Sequence, residues 1–168
     1  MNPAPEERRL GEYRLRELLS ENSVTRSWLA EQTSIARQVL VEELKSDQSA
    51  QMEAFLADIR AKAAVDHPLI SSVYEASAEP GRCFYAHELL PGVSLARRAL
   101  AGETLKPARL AHVLRRVAEA QVQHESMGHV TSPLTTAAIH LDDHGVIRLD
   151  NLAIAGSRTP DISWRDVM

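Results

Sequence analysis

Residues 124–153 read HESMGHVTSPLTTAAIHLDDHGVIRLDNLA, and this stretch decides the fold. Gly128 is placed to end a helix, because helices commonly close on a left-handed residue and glycine adopts that conformation freely. Ile139–Leu141 and Val146–Leu149 are short apolar runs on either side of Asp142-Asp143-His144-Gly145, the signature of two strands joined by a turn. Thr131-Ser132-Pro133 lies in the irregular segment between helix and ribbon. Upstream, Pro107–Met127 has helical periodicity, with Leu110, Val113, Leu114, Val117, Ala118 and Gln121 as its inward face.

Further out, Pro91-Gly92 is a break, followed by a short helix over Ser94–Leu100 with Ser94 as its N-cap. Ile70–Ser77 and Arg82–Leu90 read as strands joined by Glu79-Pro80-Gly81. Gln48–Val65 changes period: Phe55, Leu56, Ile59 and Ala63 recur at helical spacing, with Asp47 and Glu53 early and Arg60 and Lys62 late, as the helix dipole favours. His67-Pro68 stops that helix. Tyr13–Leu19 and Val24–Ala30 form a hairpin about the turn cluster Ser20–Ser23, and Gln38–Leu44 is a third strand.

The chain has 168 residues, 44% of them hydrophobic and 25% charged, enough for one domain with a real core. A net charge of −4 gives no basic field for nucleic acid or anionic membrane. Cys83 is the one cysteine, which excludes an internal disulfide and a cysteine-based zinc site. Met1–Leu10 lacks the apolar run of a signal peptide, and no apolar run approaches the ~18 residues of a membrane span. These features point to a cytoplasmic protein, or to the cytosolic part of a longer membrane protein.

The order is three strands, a helix, two strands, a break, two helices and a ribbon. This order resembles the bacterial eukaryotic-like serine/threonine protein kinases from about Gly11 to Gly156. The resemblance rests on Phe55-x-x-Asp58, His67-Pro68-x-Ile70, Glu88-Leu89-x-Pro91-Gly92-x-Ser94-Leu95, His124-x-x-x-Gly128 and Gly145-x-x-Arg148-Leu149. It implies an α+β, protein-kinase-like fold. Residues 1–10 would be a flexible tail, and 11–90 an upper lobe with a five-stranded antiparallel sheet and one helix. Residues 91–168 would be a partial, mostly helical lower lobe. Asp166-Val167-Met168 resembles the triplet that opens the buried helix of that lobe, so the lobe is expected to be truncated. The apolar face of Pro107–Met127 would then lose its usual cover.

By the same resemblance, the residues that do kinase chemistry are missing. Phosphoryl transfer depends on holding phosphates and metals and orienting a hydroxyl. The three glycines of the phosphate loop are replaced by Ser20, Asn22 and Thr25, and Glu21 puts a negative charge beside them. Glu42 stands at the phosphate-binding lysine and Asp58 at its glutamate partner, so two carboxylates repel where an ion pair would form. Leu40 and Ser27 replace small and branched residues beside the base, while Glu88 and Leu90 of the hinge can still offer backbone groups. Pro133 replaces the catalytic aspartate and has no side-chain acceptor. Ala138 and Asn151 replace the two magnesium ligands, and hard cations want anionic oxygen. The reading is a pseudokinase with no catalytic residue, no metal and no cofactor. It would bind a kinase, a phosphoprotein or a second copy of itself as a regulatory scaffold in signalling.

The alternative is a divergent kinase or ATP-binding switch that uses Arg26, Asp150 and Asn151. Lys62 falls where kinases stack an apolar residue; it either snorkels or pairs with Asp58. His124 with His129, or His140 with His144, lack the acidic or cysteine partners of a metal site, and His87 reads as a packed histidine. Ser94 and Ser132 have no base to activate them.

Overall fold

The computed structural model describes residues 8–79, 82–128 and 130–156. The turn residues Pro80 and Gly81, His129 and the Asp166–Met168 triplet lie outside them. The chain divides into two compact units, one comprising Met1–Ile59 with Ser71–Leu89 and the other Arg60–Ile70 with Leu90–Met168.

The first unit is an antiparallel sheet. Its strands are β1 (Arg9–Leu10), β2 (Tyr13–Glu21), β3 (Thr25–Gln32), β4 (Arg37–Leu44), β5 (Val73–Glu79) and β6 (Arg82–Glu88), in the order β1-β2-β3-β4-β6-β5. The five expected strands are present, and β1 joins them as a sixth at the edge. Two anchors account for that addition to a segment expected to be a tail. Leu10 is buried in the core, and Arg8 donates to Glu43 Oε1 at 2.6 Å while its guanidinium sits 5.0 Å from the centre of the Trp28 ring. Trp28 Nε1–H donates to the other Glu43 oxygen at 3.0 Å, so this buried carboxylate is satisfied on both sides. Leu10, Tyr13, Leu15, Ala30, Val39, Val41, Phe84 and Ala86 form the core. Tyr13 meets Phe84 edge to face with ring centres 5.9 Å apart.

Helix α1 (Met52–Ala63) follows a 3-10 segment, Ser46–Gln51. The helix was expected to start at Gln48. Ser46, Asp47 and Ser49 are residue types that favour turns over helix interiors, and Gln48 has non-helical angles (φ −108, ψ 31). The expected strand from Ile70 starts later, at Val73, because Ile70 is committed to the core of the second unit.

The second unit packs α3 (Pro107–Ser126) against the ribbon β9 (Ile139–Leu141) and β10 (Ile147–Leu149). Strand β7 (Val93–Ser94) pairs with β9, and Ser94 caps α2 (Leu95–Leu100) by accepting from the Arg97 N–H at 3.3 Å. Gly92 makes this entry possible: its φ is +81, and a Cβ would lie 2.5 Å from the Leu141 backbone. The buried face of α3 is Val113, Val117, Ala120 and His124. Of the expected inward residues, Leu110, Leu114 and Ala118 are exposed and Gln121 is half-buried. Two apolar stripes run side by side on this helix, and the ribbon covers one of them.

Candidate functional site

In the first unit, the residues that the sequence resemblance assigns to the phosphate loop satisfy one another. The β2–β3 turn is closed by Asn22, whose Oδ1 accepts from the N–H of Val24 at 2.7 Å and of Thr25 at 2.8 Å. Its Nδ2 donates to Thr25 Oγ1 at 3.0 Å, and its own N–H donates to Thr25 O at 3.0 Å. A glycine-rich loop presents such amides to phosphate; here a side-chain oxygen already holds them. Ser20 lies in register with Ser27 on the neighbouring strand.

Glu42 sits directly across from Ser27 on β3 and accepts from its Oγ at 2.5 Å. The two replacements therefore form a pair, a hydroxyl donor facing a carboxylate acceptor. Lys45 reaches Glu21 at 2.6 Å, and Arg26 Nε–H donates to the same Glu21 oxygen at 3.1 Å. Lys45, and then Arg26, hold the Glu21 carboxyl below its ordinary range. Asp58 is half-buried on α1. Glu88, at the end of β6, gives its N–H to Ser72 O at 3.0 Å, and its carboxylate accepts from the Ser72 N–H at 3.4 Å. His87 stacks on Tyr85 with ring centres 5.3 Å apart, as a packed histidine would.

In the second unit, Asn151 occupies a structural position. Its Nδ2 donates to the backbone carbonyl of Lys62 at 2.9 Å. That carbonyl lies in the last turn of α1, where backbone acceptors run out of helical donors; it also accepts from the Val65 N–H at 3.2 Å. Lys62 returns the contact: its Nζ donates to Asn151 O at 2.7 Å and to Ala153 O at 2.9 Å. Asn151 Oδ1 also accepts from the Ala153 N–H at 3.2 Å. Three hydrogen bonds thus fasten segment 151–153 to the end of α1, and a fourth closes the segment on itself. An aspartate at 151 has no donor for the Lys62 carbonyl.

The loop of 131–138 joins the same cluster through its backbone. Ser132 N–H donates to Leu152 O at 2.9 Å, Asp150 N–H to Ala138 O at 2.9 Å, and β8 (Val130–Thr131) pairs with β11 (Ala153–Ile154). Ala138 is buried and Pro133 is exposed. Leu90, the other hinge residue, is buried. Asp150 has His140 Nε2 at 3.6 Å. Among the described residues, no three of His, Cys, Asp and Glu gather as a metal-binding group.

Sequence reasoning missed the Lys62–Asn151 exchange, although both residues had been singled out. The signal was available: the resemblance puts a lysine where an apolar residue is expected and an amide where an acid is expected. It also missed a recess of about 110 Å³ in the first unit, lined by Leu44, Met52 and Cys83 with Lys45 and Arg82. Burial raises the Cys83 thiol pKa, which leaves it unreactive. No helix among the described residues is long and apolar enough to cross a membrane.

No protein-family model matches the chain, and no curated protein matches it. Solved structures do match. The apo form of PpkA-294 superposes with a TM-score of 0.73 at 17% identity, over 90% of this chain and 62% of that one. Rad53 1-466 in complex with AMP-PNP superposes with a TM-score of 0.75 at 14% identity, over 86% of this chain and 40% of that one. Both are protein kinases. The fold of this chain is therefore α+β and kinase-like, and it spans less than two thirds of either neighbour's length.

Proposed function

We propose that this kinase-like chain is a pseudokinase, a non-catalytic module that acts by binding protein in a signalling assembly. One observation carries the reading. Each polar replacement at a nucleotide or metal position whose bonds are described here has taken a partner within its own unit. Asn22 holds the loop amides, Ser27 holds Glu42, and Lys62 holds segment 151–153. Activity through displaced residues would require Arg26 to leave Glu21 and Asn151 to leave the end of α1. The partner is a kinase, a phosphoprotein or a second copy, and a cytoplasmic setting belongs to the same proposal.

Thermal-shift titration with ATP and magnesium tests it. The expected result is a melting temperature that does not move with nucleotide, with or without metal. A metal-dependent rise that Asn151→Ala or Asp150→Ala removes would overturn the proposal in favour of an ATP-binding switch.

A further inference from the structure

We draw no further inference here: the strongest candidate, the recess of the first unit walled by Leu44, Met52 and Cys83, carries nothing, because its rim cations Lys45 and Arg82 are already paired with Glu21 and Glu79 and nothing in the structure shows what would fill it.

Discussion

The β2–β3 hairpin and segment 151–153 solve the same problem at different ranges. The sequence resemblance assigns both to positions where a kinase would meet its nucleotide or metal. In the hairpin, the substituted residues are satisfied by near neighbours: Asn22 by Val24 and Thr25, Glu21 by Arg26, Ser27 by the facing strand. In segment 151–153, the partner is Lys62, 89 residues away from Asn151. A local network can be lost without disturbing the rest of a unit, because the freed groups meet water. A long-range one ties two parts of a core together, and its loss strands buried carbonyls.

The comparison therefore predicts a ranking of effects. Lys62→Met keeps the apolar stem but strands two carbonyls, and should cost about 3 kcal/mol in urea unfolding. A cost near zero would erase the distinction between the regions. Asn151→Asp should cost about 1–2 kcal/mol, because the helix-end carbonyl loses the shorter of its two donors, keeps only the Val65 N–H at 3.2 Å, and faces an anion. If position 151 is instead a vacated metal site, the aspartate will be tolerated, and calorimetry with magnesium and ATP will detect new binding.

Tyr13 separates range from location. It lies in the first unit, yet its hydroxyl donates across 62 residues to Glu75 at 2.8 Å. Tyr13→Phe should cost about 1 kcal/mol, since Glu75 is exposed and can rehydrate. Burial, and then the Glu75 contact, raise the tyrosine pKa from its ordinary 10.0. The folded state thus retains the proton. The contribution is full below pH 10 and falls as pH rises above it, so wild type should lose stability in alkali more steeply than Tyr13→Phe.

Asn22→Ala, at the hairpin tip, should cost about 0.5 kcal/mol or less, with faster amide exchange confined to Val24 and Thr25. The smallest effect belongs to Glu21, whose lowered pKa supports stability above the ordinary carboxylate range and loses that support as pH falls through the folded value. Lys45→Met should flatten the acid limb slightly in a pH series of thermal melts.

The strand order and the ribbon were legible in the sequence because period and turn chemistry are local. The β2–β3 hairpin was legible for the same reason. The outward stripe of α3 was not, since Leu110 and Leu114 are as apolar as Val113 and Val117, and hydropathy does not say which stripe the β9–β10 ribbon covers. His124 shows the converse: a polar residue outside the apolar periodicity that the fold buries. Strand β1 was hidden because its anchors, Glu43 and Trp28, lie far along the chain from Arg8. The role of Asn151 was read from what it lacks, a charge, when its position depends on what it offers, an N–H donor.

That amide also bears on how the sequence can change over generations. A single-base route from asparagine to an acid exists in the genetic code, but at this position that step is expected to cost folding stability. Lineages carrying this arrangement would need a compensating change at the end of α1 before an acid at 151 was tolerated. The divergence behaves as a ratchet whose tooth is one side-chain N–H.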